Sequence, residues 1–341
     1  SKDFSNILIV DKESTFGQHI SSRNSEVIHS GLYYEPGSLK AKLCFDGNHM
    51  MYDFCDSHSI PYNHCGKLII AHYESEIIKL QKLLSYGHTN GLSNLHIIEK
   101  DEIQKKEPLI NCLAALSVPS AGIVDSHSVM KKLESLINAR GASIVYNMEV
   151  TDINQIDNMY RLSFSNIDYY AESKIIINAA GLWSTSISNM LGITDYKIHY
   201  CKGDYYSTSL FKGEINSLIY PLPTQHSLGI HLVLKLDGSI QFGPNAYYTN
   251  ELDYTITENH KDVFLNHINQ FLKIDKNSLR PDFSGLRPKL QGPNDTNKDF
   301  IIINEYAKGY KNFINLIGID SPGLTSCLAI GEYVRGLLIL D

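Results

Sequence analysis

Two periodicities alternate along this chain. Asn6-Ile7-Leu8-Ile9-Val10-Asp11 is a short apolar run closed by an acid, the pattern of a strand covered on both faces. Leu39, Leu43, Gly47, Met50 and Phe54 then recur at helical spacing behind Ser38, which reads as a helix N-cap. A second helix is predicted from Ser75 through Ile77, Ile78, Leu80, Leu83 and Leu84, with Gly87 as its stop. A third carries Val129, Leu133, Leu136 and Ile137 and stops at Gly141. Residues 159–164 alternate as a half-buried strand does. Ile175-Ile176-Ile177 is unbroken and apolar, which predicts a central parallel strand ending in Ala179-Ala180-Gly181.

The middle third changes period. Residues 218–223 and 229–234 read as strands, and Asp237-Gly238 is a hairpin turn leading to 239–243. One helix follows, with Val263, Phe264, His267 and Phe271 on its apolar side. The last segment runs from an apolar strand, Phe313-Ile314-Asn315-Leu316-Ile317, through Ser321-Pro322-Gly323-Leu324-Thr325 into a helix. The expected fold class is mixed α/β, a Rossmann-like nucleotide domain interleaved with an antiparallel-sheet substrate domain. Residues 1–75, 120–190 and 283–341 are assigned to the first, and 76–119 and 191–282 to the second. An acid ending a strand of a βαβ unit holds a ribose hydroxyl, the role expected of Asp11. A Gly-Leu-Thr turn at a helix start offers backbone N–H groups, the role expected of Gly323, Leu324 and Thr325. No G-x-G-x-x-G turn accompanies them.

Composition narrows the classes. With 341 residues, 43% hydrophobic and 20% charged, the chain can bury a large core. A net charge of −7 and the lack of a Lys/Arg-rich run argue against nucleic acid as a partner. Six cysteines without a C-x-x-C pair point to a reduced compartment. No apolar run reaches the roughly 18 residues of a spanning helix. A cytoplasmic protein is expected, or one peripheral at the inner membrane face. No metal is expected, since His58, His64 and Cys65 lack zinc spacing.

Residues 21–47 carry a longer signature: Ser21-Ser22-Arg23-Asn24-Ser25-Glu26-Val27-Ile28-His29-Ser30-Gly31-Leu32-Tyr33-Tyr34, leading into Pro36-Gly37-Ser38-Leu39-Lys40-Ala41-Lys42-Leu43-Cys44. Cys65-Gly66-Lys67-Leu68-Ile69-Ile70-Ala71, Ala121-Gly122-Ile123-Val124-Asp125, Leu228-Gly229-Ile230-His231-Leu232 and Gly285-Leu286-Arg287-Pro288-Lys289-Leu290 follow in order. The set closely resembles the L-2-hydroxyglutarate dehydrogenases (oxidases), FAD enzymes of the D-amino-acid-oxidase-like superfamily.

The resemblance implies FAD as cofactor and a small dicarboxylic 2-hydroxy acid as substrate. The implied reaction takes L-2-hydroxyglutarate to 2-oxoglutarate, with hydride going to flavin N5 and electrons passing to oxygen or a quinone. Two other readings are an amine or amino-acid oxidase of the same superfamily, and a truncated or split-gene fragment. The family's first strand, Gly-rich turn and first helix have no counterpart here. The FAD domain is therefore expected without them, and a chain starting at Ser1 is expected to bind flavin weakly or not at all. Glu26 stands where the family usually has glycine, so its side chain is expected to turn away from the cofactor or to alter the site.

Proton removal from a hydroxyl suits a histidine. His29, in the signature loop, and His231, on the substrate sheet, are the candidates. Arginine binds carboxylates in a bidentate fork, so the resemblance gives Arg287 to the substrate as a catalytic and binding residue. Arg23 is expected at the second carboxylate or the pyrophosphate. Tyr33 and Tyr34 are expected to donate to substrate. For the cofactor, Ser22 and Asn24 are placed at the pyrophosphate or ring, Val150 at the adenine, and Gly181 and Trp183 beside the nucleotide.

Overall fold

Nine strands form the largest sheet of the computed structural model, which describes residues 4, 6–165, 167–223 and 229–339. Leu228 of the signature strings lies outside them. In spatial order the sheet runs Tyr247–Thr249, His199–Thr208, Ile240–Gly243, His231–Leu234, Leu218–Pro221, Lys67–Ala71, Ala114–Val118, His96–Glu99, and Arg280–Lys289 also pairs with His199–Thr208. Every pairing is antiparallel except that of Leu218–Pro221 with Lys67–Ala71. The hairpin expected at Asp237-Gly238 joins His231–Leu234 to Ile240–Gly243, with Leu234 opposite Ile240. The sheet draws in Lys67–Ala71 and Arg280–Lys289, segments that the expected boundaries place largely in the nucleotide unit.

Register decides which side chains share a face, because side chains alternate with period two. Lys67 is opposite Leu218 and Ile69 opposite Tyr220, so Lys67 and Tyr220 share a face. Ile219 pairs with Leu232, which puts His231 beside Tyr220. His231 pairs with Gly243, and Tyr206 with Phe242, so Tyr205 joins that face. Cys201 pairs with Arg287 and Gly203 with Gly285, which adds Arg287. One polar face thus crosses six strands. The opposite face buries Leu68, Ile70, Leu232, Phe242 and Phe264 in the main core.

A second region is built from parallel pairs. Leu8–Val10 pairs with Ser143–Val145, and Ile176–Asn178 with Phe313–Ile317, which Ile301–Asn304 joins from its other side. The strand expected to be central, Ile176–Asn178, has one partner among the described residues, and Ile177 is 50% exposed. Leu8 and Ile9 are likewise exposed.

The helices follow the apolar stripes with two corrections. Gly87 is no stop: the helix spans Glu74–Thr89, and Gly87 is buried inside it against Leu95 and Leu32, where a larger residue does not fit. In the Lys261–Ile268 helix, Phe264 and Ile268 form the buried stripe at i, i+4 spacing, with Phe271 buried beyond it. Val263 and His267 lie one position off that stripe and are exposed.

Ser38 caps the Leu39–His58 helix, accepting from the Ala41 amide at 3.1 Å. That helix packs on Gly323–Gly336, and Gly47 is where their backbones come closest. A Cβ on Gly47 would lie 2.5 Å from the Thr325 carbonyl oxygen and 2.7 Å from Ser326 Cα. Gly47→Ala must therefore push the helices apart. It is expected to lower stability by about 1–3 kcal/mol and to weaken flavin retention, read by urea unfolding and by flavin absorbance after gel filtration.

Candidate active site

The polar face of the large sheet carries a cluster of buried basic groups. His231, 5% exposed, stacks flat on Tyr220 with ring centroids 3.8 Å apart. Its Nδ1 is buried without a partner, as is the Tyr33 hydroxyl. Lys67, 1% exposed, points its ammonium at the Tyr33 and Tyr220 rings, 4.8 and 4.7 Å from their centroids. Arg287 lies across Gly203, where any Cβ would meet its Nη2 at 2.9 Å. It donates to the carbonyls of Cys201, Lys202 and Asn245 through Nε and Nη2. That leaves Nη1 for a ligand.

The signature loop enters from the opposite side. Val27–Ile28 pairs with Gly122–Val124, and the chain then passes the start of the Gly323–Gly336 helix. The His29 amide donates to Thr325 Oγ1 at 3.0 Å, and Thr325 in turn donates to the Val27 carbonyl. The His29 carbonyl accepts from Asn48 at 2.9 Å. These bonds fix the backbone of His29, while among the described residues its ring has one hydrogen-bond partner, Ser321 Oγ, 3.2 Å from Nε2.

The electrostatics are one-sided. Burial, reinforced by the Lys67 charge, lowers the His29 pKa to about 3. Burial, then the charges of Lys67, His29 and Arg287, holds His231 well below the usual histidine range. Burial also pushes Lys67 down to about 8, with the Cys44 thiol the only opposing group. Among the described residues no carboxylate is a cause of any of these three shifts. The neighbouring acid, Asp320, is already held by Lys40 at 2.8 Å and Lys289 at 3.6 Å. Desolvation raises the hydroxyl pKa values of Tyr33 and Tyr34 well above normal, so both remain donors.

Of the other expected residues, Asp11, Gly181 and Trp183 lie at the carboxyl ends of the parallel strands. Asp11 follows Val10, and its Oδ1 accepts from the Glu13 amide at 2.9 Å. Lys12 Nζ lies 3.5 Å from the Trp183 ring centroid, so the ends of Leu8–Val10 and Ile176–Asn178 converge. Gly181 opens the turn that carries Trp183, with φ of 56° and Ile20 against it. Val150 begins the strand Val150–Ile156. Ser22 donates to the Gly17 carbonyl. Asn24 is taken up by its own loop, donating to the Ile20 and Ser21 carbonyls and accepting from the Glu26 amide. Arg23 rests over the Tyr254 ring at 4.2 Å and donates to the Ser284 carbonyl.

Two observations fit a dinucleotide carrying a flavin. The Gly323–Gly336 helix begins without a side-chain cap; the Gly323 amide, contrary to the role expected of it, is taken by the Asp320 carbonyl at 2.6 Å, which leaves the Leu324 and Thr325 amides for an electronegative ring edge or phosphate. Strand ends carrying Asp11 and Trp183 meet at the crest where such ligands bind. Over residues 2–337 the chain matches the family described as FAD dependent oxidoreductase (DAO). The chain belongs to that family. FAD is the family's cofactor. The L-2-hydroxyglutarate dehydrogenase of Arabidopsis thaliana is 34% identical, the match covering 96% of this chain and 77% of that protein. The human and Escherichia coli proteins of that name are 37% and 35% identical over 70% of this chain, which spans 54% and 57% of their lengths. Among solved structures, FAD-bound L-alpha-glycerophosphate oxidase from Mycoplasma pneumoniae superposes with a TM-score of 0.88 at 27% identity, covering 98% of this chain and 88% of that one. Glycine oxidase from Geobacillus kaustophilus has the same fold, with a TM-score of 0.82 at 16% identity over 97% and 87%.

Glu26 is held by partners within the protein. Its carboxylate accepts from the Ser126 amide and hydroxyl at 3.2 and 2.8 Å, at the start of the Ser126–Ala139 helix, and pairs with Lys235 at 3.1 Å. The cost is a backbone φ of 56°, disfavoured for a residue with a Cβ. Glu26→Ala keeps the strain and loses the contacts. Glu26→Gly loses the contacts and relieves the strain. The alanine variant is expected to be less stable than the glycine variant by about 1 kcal/mol, measured by urea unfolding.

Sequence reasoning passed over Lys67 and Tyr220. The available signal was a single charge inside the strand Lys67–Ala71, whose residues are all buried.

The two histidines also set the acid limit of stability. Their folded pKa values lie below the ordinary value near 6.5, so the unfolded chain takes up protons first and stability falls as pH drops below that value. Between pH 7 and 5 His29, with its folded pKa of about 3, contributes a loss of about 2 kcal/mol, and His231 adds a loss of the same sign. His29→Gln and His231→Gln are each expected to flatten the fall in unfolding free energy over that interval.

Proposed function

We propose that the chain oxidises L-2-hydroxyglutarate, or a close 2-hydroxy dicarboxylate, to the 2-oxo acid. The observation that carries this reading is the buried basic cluster with no acid of its own, formed by His29, Lys67, His231 and Arg287. Relatives named L-2-hydroxyglutarate dehydrogenase at 34–38% identity support the choice of substrate. FAD, when bound, supplies a hydride acceptor at N5. Asp11, Trp183 and the Leu324 and Thr325 amides would hold it. Arg287, through Nη1, binds the carboxylate next to the reacting carbon and orients the substrate. His29, neutral before substrate arrives, takes the hydroxyl proton. An incoming carboxylate raises its basicity by opposing the Lys67 charge. His231, flat on Tyr220, positions the substrate from the sheet side, and the Tyr33 hydroxyl donates a hydrogen bond. Oxygen or a quinone completes turnover, distinguished by whether reaction proceeds without oxygen when a quinone is supplied.

His29→Gln is expected to lower kcat on L-2-hydroxyglutarate by about 10²–10⁴-fold. Arg287→Leu is expected to act mainly on KM, raising it by about 10–100-fold. Flavin reduction by glycine or sarcosine but not by L-2-hydroxyglutarate in the parent protein would replace this reading with an amine oxidase.

A further inference from the structure

Lys67 is a buried cation whose surroundings do not satisfy it. Its neighbours are two aromatic faces, and among the described residues neither a carboxylate nor a hydrogen-bond acceptor meets its ammonium. Ring faces offset only part of the cost of removing an ammonium from water. The protein treats its other deeply buried lysine differently. Lys202, 5% exposed, bonds Asp253 at 2.9 Å and the Thr255 carbonyl at 2.6 Å. A charge kept buried and unpaired on a functional face is suited to an anion that arrives from outside.

The register places that charge. Lys67 shares a face with Tyr220, His231 and Arg287, and His231 is within electrostatic reach of both Lys67 and Arg287. Arg287 has Nη1 left for one carboxylate. Arg23, the other arginine expected to serve a second, is held over Tyr254. We infer that Lys67 receives the distal carboxylate of the substrate and thereby selects dicarboxylic over monocarboxylic 2-hydroxy acids. The inference rests on the reading of the site given above. The two aromatic rings hold the ammonium in place without neutralising it. A carboxylate in their place would fill the receptor permanently.

The test uses the flavin-loaded protein and two ligands of equal chain length, glutarate and pentanoate, titrated calorimetrically. Both carry a carboxylate for Arg287, and only glutarate carries a second. In the parent protein glutarate is expected to bind at least about 30-fold more tightly, as a desolvated ion pair warrants. Lys67→Met is expected to remove that preference, weakening glutarate by a similar factor and pentanoate by less than about threefold. Lys67→Gln is a second neutral variant with the same expectation. Neither is expected to melt below the parent, because removing an unpaired buried charge does not destabilise a fold. Equal losses for both ligands with a lowered Tm would mark a structural lysine and overturn the inference, as would an unchanged glutarate preference. Turnover separates this from the parent reading. If L-2-hydroxyglutarate is not oxidised while Lys67→Met still abolishes the glutarate preference, the proposed reaction fails and the carboxylate receptor stands.

Discussion

An unbalanced buried charge is the constraint around which this molecule is arranged. Lys67, His29, His231 and Arg287 act on one another without an intervening carboxylate. Such an arrangement opposes folding, since desolvation and like charges both disfavour the protonated forms. The fold tolerates it because both histidines shed their protons and Lys67 is pushed toward neutrality, its pKa near 8. The same features prepare the site for a dianion. A ligand with two carboxylates supplies what the protein leaves out, and its binding restores protons to groups that folding stripped.

Position comes from two rigid parts meeting. The large sheet sets Lys67, Tyr220, His231 and Arg287 by register alone, and Gly203 clears the path of the arginine side chain. The helix pair sets His29: close contact at Gly47 brings Thr325 under the signature loop, where its hydroxyl receives the His29 amide. Sites carried on strands and helix ends hold their geometry better than sites carried on loops alone.

The sequence made some of this visible and hid the rest. Ser38, the Asp237-Gly238 turn and residues 159–164 were legible because capping, turn chemistry and alternation are local signals. His29, His231 and Arg287 were found as candidates, but their convergence depends on pairings between segments far apart in the chain. Gly87 misled because helix termination and tight packing both select glycine. Val263 and His267 misled because a one-position error in phase turns a buried face outward. Lys67 was overlooked because a charge in an apolar strand resembles an edge residue until the strand is seen in the interior of a sheet. The conformation of Glu26 was hidden too, since its partners Ser126 and Lys235 lie 100 and 209 residues away.

The most direct test of the central claim is proton uptake when 2-oxoglutarate binds, measured calorimetrically near pH 7.5 in buffers of different ionisation enthalpy. A site holding depressed basic groups against an incoming dianion must draw protons from the buffer. The expected result is a net uptake, about a quarter of a proton per ligand at pH 7.5 and about half a proton at pH 8, as the Lys67 pKa of about 8 requires. Binding with no uptake, or with proton release, would contradict the account.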